Sequence, residues 1–394
     1  MGHQRLWAML LVSAGVLWSS APVLAQLPGR RDSAGVVIVT NASRQGARPA
    51  FRLGRVVATL GGLSDDPARE FNRRHGYLRA VRFSTGKTMV IDSDRMHLFG
   101  TDFREHRLIG GKGSGPGEFR YLTILCRTDG DTVVVWDDAN RRLGVLTSEG
   151  QLVRHLSLGS GSLPSQPCGR AGKLLVVEPV FRATDQRSFD FAGKVIDLRG
   201  EVRSRSFPLG PGSADIVGQE TTQAMAGTDL IVADGLSSEY RRISVAGKLL
   251  QIVRTRDAPR RLTGKEYDKL LDRMIPPQRD AKALRDRMKK QRTATHWPAY
   301  GRLLVDPGGC IWIQSFVAPT QSPNQSRADV WVAFDATGRM LGRLDIPPSA
   351  GGGRKEVLSI EQGEIQIRER TAAGEVFLHF HQVIPVSPGI TCAN

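Results

Sequence analysis

Residues 128–158 read TDGDTVVVWDDANRRLGVLTSEGQLVRHLSL. A small turn at Gly130 opens onto a run of valines closed by Trp136. A polar cluster follows (Asp137, Asp138, Asn140 and Arg141), then a second apolar run, a glycine turn at Gly150 and a third, alternating run. Apolar residues never recur here at helical spacing, while β-branched residues are plentiful. The stretch is three strands of an antiparallel meander with short connections.

The same turn-then-strand pattern recurs outward from it. STGKTMVID, RAGKLLVVE, MAGTDLIVAD, PGGCIWIQS and EQGEIQIRE carry turn glycines at Gly86, Gly172, Gly227, Gly309 and Gly363. With Gly130 the spacings are 44, 42, 55, 82 and 54 residues. FAGKVIDLRGEVRSRSFPL and WVAFDATGRMLGRLDI repeat the later strand–turn–strand step. One unit therefore reads strand–turn–strand–loop–strand–turn–strand, at roughly the 40–50-residue period of a propeller blade. Six units can be counted, and the last, ending near Ile384, has only three strands. A spare strand, AFRLGRVVATL at residues 50–60, precedes the first. An open sheet edge invites aggregation, so the spare strand is expected to complete the last unit. The expected fold is all-β: a six-bladed β-propeller over residues 50–384, with a helical insertion at 257–296 between blades four and five. A flexible segment, 26–49, is expected before it and a tail, 385–394, after it.

The glycine-rich stretch IGGKGSGPGEFR, residues 109–120, raises the question of a phosphate cradle. A Walker loop needs GxxxxGK and Ser or Thr leading into a helix. Here Lys112 is followed by Gly113, and the next segment reads as a strand. The stretch is better read as a joint between units, with Pro116 stiffening it, Phe119 packing between units and Glu118 capping amides or facing solvent.

GKGSGPGEF followed by TDGDTVVVWDDANRRLGVLTSEGQLV resembles the NHL-repeat type of six-bladed propeller, in particular its secreted bacterial relatives. The resemblance is close over residues 76–158, with weaker echoes over 161–208 and 297–346. It implies a fold rather than an activity, since such propellers include binding scaffolds, lactonases and amidated-peptide lyases. The family's equivalent of the D..N.R cluster is largely structural.

Residues 1–25 read as a secretory signal peptide: Arg5, a short apolar core, and Val23, Leu24 and Ala25 before Gln26. An uncleaved membrane helix is the other reading. No later segment is apolar enough to span a bilayer, so the chain is expected to be exported, periplasmic or extracellular, and monomeric. The formal charge is +16. A basic surface suits nucleic acid, anionic lipid or an acidic partner, and export disfavours nucleic acid. A protein or an anionic ligand remains.

The insertion changes character. Thr263 and Glu266 form a capping box, Tyr267, Leu270, Leu271 and Met274 follow at helical spacing, and Ala281, Leu284 and Met288 continue on a second helix beyond Pro276 and Pro277. Twelve Lys or Arg stand against five Asp or Glu between Arg260 and Arg292. Two readings follow: a lid packed by its apolar stripe, or a flexible cationic arm using Arg285, Arg287, Lys289 and Lys290.

Blade topology puts short turns on one face and long segments on the other, and loops on a rigid scaffold carry function. The loop-rich face is therefore the expected binding face, with Glu118, Arg120, Asp137, Asp138 and Arg141 added to the four cations of the insertion. A metal-dependent hydrolase or lyase on the same fold is the alternative. It would need acids, amides or imidazoles at the loop-rich end of the inner strands, which instead offer Arg79, Arg82, Arg127, Arg170 and Arg302. His379 and His381 share one strand face and can bind metal, although an ordinary strand pair is the simpler reading. No catalytic residue, metal or cofactor is assigned, and no triad can be assembled from spacing alone. Of the four cysteines, Cys310–Cys392 is one expected disulfide and Cys126–Cys168 the other, with four free thiols as the competing reading.

Overall fold

Glycines at positive φ close the short connections: Gly86 (84°), Gly130 (73°), Gly150 (77°), Gly309 (98°), Gly338 (85°) and Gly363 (77°). Side chains are strained in that region, so these positions fix where each strand must reverse. The computed structural model describes residues 29–63, 70–71, 78–158, 163–164, 172–182, 185–204, 206–213, 215, 217, 221–278, 280–306, 308–318, 328–361 and 363–392. The signal-peptide reading at residues 1–25 lies outside them.

The fold is all-β and propeller-like, built from antiparallel meanders. The chain opens with β1 (Gly29–Ser33), β2 (Val36–Asn41) and β3 (Pro49–Gly61). The first meander is β4 (Leu78–Arg82), β5 (Thr88–Asp92), β6 (Arg95–Phe99) and β7 (His106–Ile109). A short parallel pair, β8 (Gly111–Lys112) and β9 (Glu118–Phe119), leads to the second: β10 (Leu122–Arg127), β11 (Val133–Asp137), β12 (Arg142–Leu146) and β13 (Leu152–Ser157). Then come β14 (Leu163–Pro164), β15 (Leu174–Arg182), β16 (Asp185–Ile196) and β17 (Phe207–Ser213), followed by β18 (Thr222–Ala226), β19 (Asp229–Ala233), β20 (Glu239–Ser244) and β21 (Leu249–Thr255). Helices α1 (Gly264–Met274) and α2 (Ala281–Lys290) interrupt the series. It resumes with β22 (Leu303–Val305), β23 (Ile311–Gln314), β24 (Asp329–Phe334) and β25 (Met340–Ile346), and ends with β26 (Arg354–Glu361), β27 (Glu364–Arg370) and β28 (Val376–Pro385). Arg170, placed above on an inner strand, lies outside the described residues.

β3 closes the structure. Its later part pairs antiparallel with β28, His379 opposite Thr59 and Ile384 opposite Arg52. Its start lies parallel to β25, Leu344 opposite Phe51. The last two meanders therefore join in one eight-stranded sheet, and β3 stands where the strand count puts it.

Residues 29–49 are not a flexible leader, which corrects that expectation. β1 and β2 form a hairpin, and β2 adds parallel to β21, Val39 opposite Val253. Val39 is buried in the core shared with Val253 and Phe334. Every residue of β1 is exposed, so it lacks the apolar alternation of a core-facing strand, whereas Val36–Asn41 is an apolar, half-buried run that docks on β21.

The core lies between successive meanders rather than within one. Val81, Met89 and Leu98 of the first pack with Phe119, Leu122 and Val135 of the second. Trp312 and Trp331, both essentially inaccessible, pack with Ile365 and Ile367 of the last. Cys310, fully buried, forms a disulfide with Cys392 across a Cα–Cα distance of 4.8 Å, which anchors the tail. Cys126 is also disulfide-bonded, while its expected partner Cys168 lies outside the described residues.

Candidate binding face

The joint at residues 109–120 is held by its own side chains and by the next meander. Glu118 Oε2 accepts from the Gly115 amide at 2.8 Å. Arg142 does most of the fastening: its Nη1 donates to the Ser114 carbonyl at 2.8 Å, and its Nη2 donates to those of Gly115 at 3.0 Å and Glu118 at 2.7 Å. Phe119 is buried between the first and second meanders, as its place in the joint suggests. Asp137 is fully buried, and accepts from the amides of Arg120 (3.2 Å) and Tyr121 (3.0 Å) and from Asn140 Nδ2 (2.6 Å). Its carboxylate is occupied by the protein itself, which removes Asp137 from the binding set. Asp138 Oδ1 accepts from Trp136 Nε1 at 3.1 Å and Arg141 Nη1 at 3.2 Å, and the Arg141 guanidinium lies 5.0 Å from the Trp136 ring centroid. Arg120 is exposed.

The insertion is a docked lid. The capping box at Thr263 and Glu266 is formed. The hydrogen bonds from the Thr263 backbone and hydroxyl and from Arg260 hold the Glu266 carboxyl down to about 2, against an opposing burial effect. Tyr267, Leu270 and Leu271 of α1, with Leu284 and Met288 of α2, pack on Val217, Trp297 and Ala318. Asp215 pins the lid from below, accepting from the amides of Thr293 at 2.7 Å and Ala294 at 2.9 Å and from the Tyr267 hydroxyl at 3.2 Å. Asp215 sits alone in a loop, with no sequence pattern around it that marks this role.

Docking divides the lid's cations into two groups. Arg285 donates to the Ile275 carbonyl at 2.8 Å and pairs with Asp272 at 3.4 Å, and Lys289 pairs with Asp268 at 2.8 Å. These two tie α1 to α2, which takes them out of the free cationic set. Lys265, Lys269, Lys282, Arg287 and Lys290 are exposed, and none of them enters an ion pair among the described residues.

Three of the inner-strand arginines are ion-paired, Arg82 and Arg302 across meanders and Arg127 within its own. Arg82 pairs with Glu364 at 2.8 Å, Arg127 with Asp131 at 3.0 Å, and Arg302 with Glu356 at 3.1 Å, where Arg368 also bonds. Burial pushes the Glu361 and Glu364 carboxyls up, with Arg127 and Arg82 opposing. Arg79 donates to the Leu78 carbonyl at 2.9 Å, and Arg170 lies outside the described residues.

His379 and His381 stand with ring centroids 6.2 Å apart. Among the described residues no group of three His, Cys, Asp or Glu side chains is placed to hold a metal ion. His379 instead sits between Thr59 and Glu369, with its Nδ1 2.9 Å from Thr59 Oγ1 and its Nε2 3.3 Å from Glu369 Oε2.

The sequence matches no protein-family model and no curated protein. Among solved structures, a candidate exported protein of Bacteroides fragilis is similar over 89% of this chain and 100% of its own, at 11% identity and a TM-score of 0.51. A DUF4221-family member from Bacteroides vulgatus matches 86% of this chain and 99% of its own, at 12% identity and a TM-score of 0.49. Virginiamycin B lyase from Staphylococcus aureus matches 84% of this chain and 99% of its own, at 10% identity and a TM-score of 0.41. At 11% identity the likeness to the Bacteroides fragilis protein is one of fold alone. No helix among the described residues is long and apolar enough to cross a membrane.

Proposed function

We propose that this chain is an exported, six-bladed propeller that works as a binding module, presenting its loop-rich face to a protein or another anionic ligand. Six four-stranded meanders are counted when β3 is assigned to the last, and the pattern of residues 1–25 supports export. The observation that carries the binding reading is the lid. Lys265, Lys269, Lys282, Arg287 and Lys290 are exposed, and enter no ion pair among the described residues, on two helices that are firmly docked. A rigid cationic surface loses little conformational entropy on association and steers anionic partners toward it. No cofactor is needed for this role.

The test uses the processed full-length protein, immobilised heparin and phosphatidylglycerol vesicles as defined anionic probes. Retention is expected to weaken as salt rises, because exposed charges are screened within about 8 Å at 0.15 M. It is expected to fall strongly when Lys282, Arg287 and Lys290 are changed to Glu with the melting temperature unchanged. Equal retention of that variant would remove the lid from the binding face.

A further inference from the structure

The last meander carries a line of polar side chains that crosses its outer strands. Thr59 on β3 and His379 on β28 are direct register partners, and Thr59 Oγ1 lies 2.9 Å from His379 Nδ1. On the other side of the ring, His379 Nε2 lies 3.3 Å from Glu369 Oε2 on β27. Ser349 Oγ donates to the second carboxylate oxygen, Oε1. A hydroxyl, an imidazole and an oriented carboxylate thus stand in series. A proton on Nε2 satisfies Glu369 and leaves the Nδ1 lone pair facing the Thr59 hydroxyl.

Burial is graded along this line. Thr59 is exposed, the His379 and Glu369 side chains are 19% and 17% exposed, and Ser349 is buried. A nucleophile must meet solvent-borne substrate, whereas its base and orienting acid work best when held. The pairing of β3 with β28 is irregular beside it, between Phe380 and His381 and again between His381 and Val383. Such bulges re-aim side chains and occur next to active sites. Beyond Phe51 no strand among the described residues pairs with the outer side of β3. The Phe377 ring stacks on His379, centroids 5.8 Å apart, and supplies an apolar wall.

We propose that Thr59 is a nucleophile for acyl transfer from small carboxylic esters, with His379 as its general base and Glu369 and Ser349 as positioning residues. Thr59 Oγ1 attacks the ester carbonyl carbon and its proton passes to His379 Nδ1. The bond from carbon to the alkoxy oxygen breaks, and the departing oxygen takes that proton and leaves as the alcohol. Water then attacks the acyl-threonine, giving a proton to Nδ1, and Thr59 Oγ1 recovers it as the carboxylic acid departs. The sum is one ester and one water converted to one acid and one alcohol. This activity is independent of the cationic lid.

The groups facing His379 set its pH behaviour. Burial lowers the imidazole, Glu369 opposes this, and His381 and Lys355 add to the lowering. The ring is therefore the free base at neutral pH. Activity should rise through a midpoint below the ordinary histidine value and then level off.

The experiment follows p-nitrophenyl acetate with the full chain. A burst of nitrophenol is expected, with the acetyl group mapping to the peptide that holds Thr59. Thr59→Val, which keeps the β-branched shape, and His379→Gln should each lose on the order of 10²–10⁴-fold, and Thr59→Ser should retain activity. Glu369→Gln should move the pH midpoint lower, because it removes the charge that favours the imidazolium; a merely structural role would leave the midpoint in place. Hydrolysis by Thr59→Val as fast as by the wild type, or an acetyl group mapped elsewhere, overturns the proposal.

Discussion

Arg44 Nε lies 2.7 Å from Asp257 Oδ2, with the two side chains only 8% and 6% exposed. The pair joins the turn after β2 to the strand end after β21. Ser43 Oγ at 2.5 Å, the Arg44 amide at 3.0 Å and Thr255 Oγ1 at 2.7 Å donate to the same carboxylate. Burial alone would push the Asp257 carboxyl up, but the bonds from Ser43, Arg44 and Thr255 outweigh it and hold the carboxyl below its ordinary range. A depressed carboxyl stabilises the fold above the unfolded value, near 3.9, and that contribution is lost as pH falls through the folded value. Arg44→Met should therefore cost about 3–5 kcal/mol in denaturant unfolding at neutral pH, because it strands a buried charge, and should lose less on acidification than the wild type. A variant as stable as the wild type would show that the N-terminal hairpin is an ornament on the sheet.

The Cys310–Cys392 bridge closes a long loop, with a sequence separation of 82. Cross-linking such a loop restricts the unfolded chain, a gain typically of 2–4 kcal/mol. Replacing Cys392 by Ser should lower unfolding stability by about that much, and a reducing agent should cost the wild type more than the variant, which keeps only the bridge at Cys126. Equal sensitivity of both proteins to reductant would place the effect at another bridge.

Asp215 controls the lid. Burial raises its carboxyl, but the amides of Ala294, Thr293 and Val217 and the Tyr267 hydroxyl together bring it below the ordinary range. Asp215→Ala removes the shared acceptor of these amides, a cost of about 1–3 kcal/mol for a donor left buried. The expected result is faster amide exchange in α1 and α2 with β-strand protection retained. Since Glu266 and Asp215 are both depressed, docking should hold above the ordinary carboxylate range and loosen as pH falls toward 2. Uniform loss of protection over the whole chain would show that the lid is part of the global folding unit.

What was legible in the sequence was local. Val133–Asp137 is an unbroken buried β-branched run that ends in a turn cluster, and both the strand and its reversal are set within a few residues. β3 was placed by counting, since closure needs one more strand and only one was spare. β1 carried no core-facing alternation. The joint rests on Arg142 rather than on its neighbour Arg141, a choice that depends on which of two adjacent arginines points at the loop carbonyls. Thr59, Glu369 and His379 meet because β3 returns to the last meander across most of the chain, and a constellation of that kind exists in geometry, not in spacing.

Asp137 offers the sharpest separation of structure from recognition. Its carboxylate holds the Arg120 and Tyr121 amides and the Asn140 side chain within 3.2 Å, all at a fully buried position. The Asn140 amide in turn donates to the Gly113 carbonyl at 3.0 Å, so the same knot fixes the glycine-rich joint. Asp137→Ala removes the acceptor and leaves those donors inside the protein, which should cost at least 1–3 kcal/mol. Asp137→Asn keeps the shape and one acceptor oxygen and should cost less. Heparin retention measured well below the melting temperature should be unchanged in both, because the carboxylate faces inward. Chemical denaturation and retention measured on the same preparations decide the matter: a variant that melts with the wild type yet no longer binds would return Asp137 to the binding face and show that its amide contacts are dispensable.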